Sequence, residues 1–262
     1  MSFLDHLEAL RWHLMRSVVV VFALAIVLFC YNEFVFGTII FGPKHEDFFT
    51  YRMLCKLSYF FGMGETLRLK PSPFELINID LSGQFSMHIW VSFMGALVLG
   101  VPYILWELWR FIKPALHQKE LGYARWFVCY ASLLFLTGIF FCYFIIVPLT
   151  VNFLGGYQVT AEVKNTISMD SYISTVSTLT LVTGIVFELP ILVYFLTRFG
   201  IMSSLFMKKY RKHAVVVILI VAAVITPSSD IPTLLVVSFP LYILFEISIF
   251  VAKFVERKQK QM

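Results

Sequence analysis

Three glutamates interrupt long apolar runs and are the side chains whose chemistry stands out. Glu107, Glu188 and Glu246 each lie in a stretch that is otherwise nearly free of charge. A charged side chain at the centre of a bilayer costs about 2.5–3.5 kcal/mol on insertion scales, so such residues mark a structural bond or a function. A proton relay through Glu107 and Glu188 is one chemistry that they would support.

Glu188 is the strongest candidate for a buried functional acid. It precedes Pro190 in the segment Val-Phe-Glu-Leu-Pro. Because proline has no N–H, it leaves a carbonyl of the preceding turn without its donor and kinks the helix. The alternative interpretation of Glu188 is a structural acid that is protonated or bonded to a neighbouring helix.

The other two glutamates lie nearer the ends of their runs. Glu107 comes one turn before Phe111 and two turns before Pro114, so these residues share one face of a helix. For Glu246, snorkelling to the membrane interface is a sufficient explanation.

Enzyme motifs are missing from the sequence. It has no His-Glu-x-x-His, no Gly-x-Ser-x-Gly, no phosphate-binding loop, no dinucleotide-binding glycines and no zinc spacing. His88 is the one histidine inside an apolar run, and helix packing is its preferred interpretation. The four cysteines favour buried apolar thiols over a disulfide from Cys55 to Cys30 or Cys142. We predict no enzymatic activity, no cofactor and no metal.

The composition indicates a membrane protein. The 262 residues are 59% hydrophobic and 14% charged, whereas soluble domains are about 25% charged. The net charge of +5 could suggest nucleic acid, but the basic residues flank apolar runs and do not form a patch with interleaved aromatics. No nucleic-acid partner is expected.

The apolar runs predict an all-α integral membrane protein with six transmembrane helices. Most runs reach the roughly 20 residues needed to cross the hydrocarbon core. They lie near residues 17–36, 85–111, 126–154, 172–196, 214–226 and 231–252. The fifth run is short and turns sharply through Thr226 to Pro232. Either the fifth helix, with or without the sixth, stops short of the far interface, or the boundary of the run lies a few residues away.

Charge sets the predicted orientation. Most lysines and arginines flank the N-terminus, the second-to-third and fourth-to-fifth connections, and the basic tail at residues 253–262. The positive-inside rule therefore places both termini in the cytoplasm. Residues 1–16 have Leu7, Leu10 and Leu14 on one face and predict an amphipathic helix on the inner surface. The long exterior loop, residues 37–84, predicts an ordered cap.

Four segments, in order, resemble signatures of a known family. Residues 5–11 resemble H-L-x-E-L-R, and residues 102–120 resemble P-x-x-x-Y-x-x-W-x-F-I-x-P-A-L-x-x-x-E, with Trp106 in place of the tyrosine. Residues 187–190 match F-E-x-P, and residues 240–246 match the family's last helix. The chain is thus similar, nearly end to end, to the TatC component of the twin-arginine (Sec-independent) protein translocase.

The resemblance implies a function. The family binds the twin-arginine signal peptide of a folded substrate at the cytoplasmic face of the bacterial inner membrane. Its N-terminal signature points here to Glu8 and Arg11, and its first cytoplasmic loop points to Glu120, with Phe111 and Pro114 shaping that loop. Planar guanidinium groups pair bidentately with carboxylates, which suits this chemistry.

The resemblance also implies partners. Small single-span TatA/TatB-type subunits are expected, together with self-association. Glu188, Pro190 and Glu107 would form the polar intramembrane site at which the small subunits dock.

The N-terminal signature departs from the family at one position. The glutamate that precedes L-R in the family is Ala9 here, and Glu8 lies about 100° around the helix. Either Glu8 takes over the contact to the second arginine, or the protein uses Glu120 alone. The alternative function, from another class, is a proton-coupled small-molecule transporter that uses Glu107 and Glu188.

Overall fold

The chain forms a bundle of long apolar helices. A computed structural model describes residues 3–45, 47–60, 74–112, 124–158, 160, 165–226 and 231–260. Five helical stretches there are long and apolar enough to cross a membrane: Leu7–Cys30, Gly83–Ile112, Val128–Gly156, Met169–Arg198 and Leu234–Lys258. The predicted helical membrane protein is confirmed to this extent.

Ten α-helices and two short strands follow one another in the described residues. The helices are α1 Phe3–Cys30, α2 Phe49–Phe60, α3 Gly83–Ile112, α4 Ala124–Phe141, α5 Val147–Gly156, α6 Met169–Phe187, α7 Leu189–Arg198, α8 Ser204–Lys209, α9 Arg211–Ile225 and α10 Ile231–Lys260. Strands β1, Glu75–Ile77, and β2, Thr166–Ser168, pair in parallel with Leu76 opposite Ile167. This small sheet is an addition to the predicted all-α fold.

Helix α1 corrects the predicted division of the N-terminal region. The surface helix expected over residues 1–16 is continuous with the first span, because α1 runs unbroken from Phe3 to Cys30. The segment contains neither glycine nor proline, so nothing in it interrupts the backbone hydrogen bonds. After Cys30 the chain continues into a π-helical segment, Phe34–Ile40.

The last two helices differ in length. Helix α9 has 15 residues, about 22 Å at 1.5 Å per residue, and is short as predicted. Helix α10 has 30 residues, because it continues past the predicted run at 231–252 into the basic tail, and its candidate span is Leu234–Lys258. Glu246 of α10 does not rely on snorkelling, because it pairs with Arg211 of α9 at 2.7 Å and accepts a hydrogen bond from Tyr242 at 3.1 Å.

The centre of the bundle is a close crossing of α4 and α6. A Cβ placed on Gly138 would lie 2.7 Å from the Phe187 ring and 3.1 Å from the Cα of Gly184. Small residues at a crossing allow two backbones to approach closely, which is a common means of packing helices in membranes. The crossing ends directly before Glu188 and fixes the position of that residue.

The structure tests the interpretations of His88 and of the four cysteines. His88 bonds through Nε2 to the Phe29 carbonyl at 3.0 Å and stacks on the Phe29 ring at 3.8 Å, which confirms the prediction of a packing histidine. All four cysteines are free. Cys142 is buried as predicted, but Cys30 and Cys129 lie on the outer surfaces of their helices, contrary to the expectation of buried thiols.

Three tyrosines close the end of the bundle at which α1 terminates. Tyr143 donates to the Ile39 carbonyl at 2.8 Å, and Tyr172 donates to the Ile40 carbonyl at 3.0 Å. These carbonyls lie at the end of the π-helical segment, where helical partners run out. Tyr51 of α2 lies within hydrogen-bond reach of two further carbonyls, those of Pro43 at 3.1 Å and Pro148 at 3.3 Å. We call Tyr51, Tyr143 and Tyr172 the tyrosine cap.

The Tyr51 hydroxyl should stabilise this end of the bundle measurably. Tyr51→Phe removes a buried hydroxyl donor within reach of these carbonyls, so we expect the free energy of unfolding to fall by about 1–3 kcal/mol. Tyr59→Phe is the matched control, because Tyr59 is largely exposed. Unfolding of the full chain in detergent, followed by circular dichroism, measures the change. Equal losses in the two variants would contradict a role for the cap.

The same hydroxyl predicts a dependence on alkali. Burial raises the pKa of Tyr51 from 10.0 to about 12. A raised folded-state pKa gives stability that is complete below pH 10 and is lost as the pH rises through about 12. Tyr51→Phe should therefore remove part of the pH dependence of the free energy of unfolding between pH 10 and 12.

Candidate functional site

Glu107 is a buried carboxylate held between two helices. It lies near the end of α3, and only 2% of its side chain is exposed. One carboxylate oxygen, Oε2, pairs with Nδ1 of His13 on α1. The other, Oε1, accepts hydrogen bonds from the Tyr103 hydroxyl at 3.1 Å and from Nη1 of Arg110 at 3.2 Å. The carboxylate is therefore fully engaged by groups of this chain.

The antiparallel packing of α1 on α3 places His13 against Glu107. A Cβ on Gly100 would lie 3.1 Å from Val21, and a Cβ on Gly95 would lie 2.8 Å from Leu28, so contacts run in opposite directions along the two helices. Gly100 and Glu107 are two turns apart on one face of α3. The beginning of α1 and the end of α3 consequently lie at the same end of the bundle.

An apolar groove of about 330 Å³ follows the α1–α3 seam beside this carboxylate. Its walls come from both helices and are almost entirely aliphatic and aromatic. The polar atoms at its mouth belong to His13, Ser17 and Glu107. Its apolar walls include Leu10, Leu14, Phe22, Phe93 and Leu97.

Some of the predicted signal-peptide residues lie at this end. Glu8 and Arg11 are exposed on α1, and the Arg11 guanidinium lies 5.8 Å from the centre of the Trp12 ring. The Phe111 ring is half-buried, and its centroid lies 6.2 Å from that of His13. The predicted loop residues Pro114 and Glu120 lie outside the described residues. The structure thus brings Phe111 to the Glu107 cluster and leaves Glu8 and Arg11 on the surface nearby.

Glu188 presents the opposite arrangement. It forms the break between α6 and α7, where its N–H bonds to the Ile185 carbonyl at 3.0 Å and its own carbonyl accepts from Ile191 and Leu192, both at 3.0 Å. Pro190 is buried in the first turn of α7. The predicted interruption at this proline is confirmed. The helix is reset here because the proline offers no N–H to the preceding turn.

The carboxylate of Glu188 has no donor in the described part of the chain. Both of its oxygens are shielded from solvent and make no hydrogen bond there. The buried hydroxyls of Ser177, Thr183 and Thr197, on the same two helices, also lack partners among these residues. A buried acid without donors is costly, so it is a site at which a polar group from another molecule would be favourable.

Sequence reasoning missed three of the residues that hold Glu107. Tyr103 and Arg110 could have been found, because they lie four residues before and three residues after the glutamate on one helix face. His13 gave no comparable signal, since its contact depends on the register of α1 against α3. Among the described residues, no group of three histidine, cysteine or acidic side chains could hold a metal ion.

The sequence matches one family over most of its length. The family described as Sec-independent protein translocase protein (TatC) matches residues 5–240. A protein named Sec-independent protein translocase protein TatC from Blattabacterium sp. subsp. Periplaneta americana (strain BPLAN) is 38% identical over 99% of this chain and 97% of its own length. One of the same name from Carboxydothermus hydrogenoformans is 31% identical over 99% of this chain and 96% of its own.

The fold matches as well. Two crystal structures titled as the twin-arginine translocase receptor TatC superpose on this chain with TM-scores of 0.70 and 0.72. They are 29% and 30% identical in sequence and cover 96% and 94% of this chain and 99% of their own.

The Glu107–His13 pair should be coupled in stability. His13→Ala and Glu107→Gln each remove one partner, whereas the double variant removes both, so its loss should be smaller than the sum by about 1–3 kcal/mol. The control cycle combines His213→Ala with Glu107→Gln, because His213 is exposed. These two losses should add. Unfolding of the full chain by SDS in mixed micelles measures the coupling. Strict additivity in the His13 cycle would contradict the pair.

Proposed function

This chain belongs to the TatC family of Sec-independent protein translocase proteins, and on that premise we propose that its α1–α3 end receives the twin-arginine signal peptide of a folded substrate. The chain is a receptor component of the twin-arginine translocase and a multi-pass membrane protein. Its named relatives are translocase proteins, and nothing favours the alternative of a proton-coupled solute transporter.

The antiparallel α1–α3 pairing is the observation that carries the proposal. It puts the N-terminal segment with Glu8 at the same end as Phe111, from which the chain enters the loop that contains Pro114 and Glu120. Glu8 and the end of α3 thereby belong to one end of the bundle. Glu120, 112 positions after Glu8, lies outside the described residues and enters the proposal through the family's loop motif.

We assign the arginine contacts to the carboxylates of Glu8 and Glu120. Glu8 is free to accept a guanidinium, and Glu120 is the second acceptor by its place in the family's loop motif. Glu107 is a positioning residue, because His13, Tyr103 and Arg110 already engage both of its oxygens. Arg11 of the N-terminal signature and Phe111 and Pro114 of the loop complete the proposed surface.

We further propose six spans with both termini in the cytoplasm of a bacterium. Helix α9 is the fifth span in this proposal, although its length of about 22 Å is less than the roughly 30 Å of a hydrocarbon core. A local thinning of the bilayer would accommodate it. The clustering of lysine and arginine at the proposed inner ends of the helices supports the orientation.

The unpaired carboxylate of Glu188 is the proposed docking point for small single-span TatA/TatB-type subunits. A polar side chain from such a helix would give the buried acid the donor that it lacks among the described residues. Pro190 contributes by holding the helix break that presents Glu188. We also propose that the chain associates with further copies of itself.

Crosslinking tests the assignment of the arginine contacts. A photoreactive amino acid at position 8 or 120 should label a twin-arginine signal peptide at least several-fold more than a twin-lysine version, since lysine cannot pair bidentately. The same probe at Glu33, at the opposite end of α1, is the control. Equal labelling by the two peptides would rule out arginine recognition at these positions.

Glu188 is tested by export and by subunit capture. Glu188→Ala should lower export of a folded substrate by about tenfold or more, because a hydrogen bond to a buried charged group contributes about 1.5–3 kcal/mol. It should also weaken co-purification of the small subunits, while Glu33→Ala leaves both unchanged. Full export by a folded Glu188→Ala protein would make this glutamate structural.

A further inference from the structure

The connection between α7 and α9 lies at the level where several helices leave the apolar part of the bundle. One candidate span ends at Arg198, α9 begins at Arg211, and the candidate span of α10 ends at Lys258. Helix α8, in the middle of this connection, contacts both α9 and α10. The connection is therefore at the height of a membrane–water interface.

Helix α8 is held firmly against α10. Its Met207 is buried in a small apolar cluster with residues of α7 and α10, namely Val193, Ile249 and Ala252. The carboxylate of Glu256 accepts hydrogen bonds from the Ser204 backbone N–H at 2.6 Å and from the Ser204 hydroxyl at 2.5 Å. The short helix is thus anchored at Ser204 and Met207, and its other side chains are exposed.

Large apolar side chains are exposed on this helix and in the residues just before it. Leu205 is 76% exposed and Ile201 is 73% exposed, and Phe199 and Phe206 are more than half exposed. In water, each would lose the roughly 1.5–3 kcal/mol that burial of such a side chain provides. At an interface, they would reach the boundary between headgroups and acyl chains.

Basic side chains surround these apolar ones. Lys208, Lys209, Lys212, Lys253 and Arg257 are exposed and form no ion pair with any described residue.

The acids of this end are already engaged. Glu246 pairs with Arg211 at 2.7 Å, and Glu256 is hydrogen-bonded to Ser204. The surface therefore carries at least five cations that form no ion pair with a described residue.

We propose that these apolar and basic side chains form a binding surface for anionic phospholipids. The basic groups would contact the phosphates of the headgroups, and Leu205 and Phe206 would enter the acyl boundary. A lipid fits both halves of the surface, whereas an acidic protein segment would use only the charges. The surface is separate from the proposed signal-peptide site, and a twin-arginine peptide, itself cationic, would be repelled from it.

Lipid titration of the purified full-length protein tests the proposal. Native mass spectrometry in detergent counts bound phosphatidylglycerol and, separately, zwitterionic phosphatidylcholine. We expect the wild-type chain to prefer phosphatidylglycerol. Each lysine near an anionic surface contributes about fivefold in affinity, so Lys208→Gln with Lys209→Gln should weaken phosphatidylglycerol binding about 25-fold and leave phosphatidylcholine unchanged.

The controls separate the named surface from charge in general. The control variant Arg52→Gln with Lys56→Gln removes two cations from α2 and should leave the binding of both lipids unchanged. Lys212→Gln with Lys253→Gln is a second variant of the proposed lipid surface. It should weaken phosphatidylglycerol binding as the Lys208→Gln and Lys209→Gln variant does. Leu205→Ser with Phe206→Ser should weaken the binding of both lipids, because both have acyl chains.

Three results would overturn the proposal. The first is equal binding of the two lipids by the wild-type chain, and the second is an equal loss of phosphatidylglycerol binding in the α2 variant and in the variants of the proposed lipid surface. The third is displacement of phosphatidylglycerol by inorganic phosphate at the same concentration. The last result would assign the surface to free phosphate.

Discussion

A carboxylate that leaves water must find hydrogen-bond donors or give up its charge, and this requirement organises the polar interior of the bundle. Glu107 meets it within the chain, through one donor from α1 and two from its own helix. The bond to His13 ties the beginning of α1 to the end of α3. Glu188 does not meet it among the described residues, which is why the two buried acids receive different proposed roles.

The same requirement extends to the backbone. Every helix that ends or changes pitch inside an apolar medium leaves carbonyls that need donors. The tyrosine cap supplies them after the π-helical segment, and His88 supplies one at the end of α1. At Glu188 the backbone resets its own bonds around Pro190, so the break leaves only the side chain unsatisfied. Aromatic donors and the reset at Pro190 therefore satisfy the backbone where these helices end or break.

Charge outside the membrane is distributed by a different rule. Exposed ion pairs contribute little to stability. Lys208, Lys209 and Lys212 form none with the described residues and remain available for other contacts. At the N-terminal end, exposed Glu8 and Arg11 lie near an engaged acid. Around α8, exposed lysines lie beside exposed apolar side chains. The two proposed surfaces would therefore have opposite preferences, one for a cationic peptide and the other for anionic headgroups.

The sequence alone determined the membrane class, the helical stretches, the short α9 and the break at Pro190, because each depends on a local property: apolar length, the missing proline N–H or the position of turn residues. The family signature predicts Glu8 and Glu120 as signal-peptide contacts from equally local patterns. Only the tertiary structure decided that His13 holds Glu107, that α1 is one helix packed antiparallel on α3, and that Tyr51, Tyr143 and Tyr172 close one end. Those contacts join residues tens of positions apart, and their register depends on small residues such as Gly100 and Gly138, whose effect appears only when two helices meet.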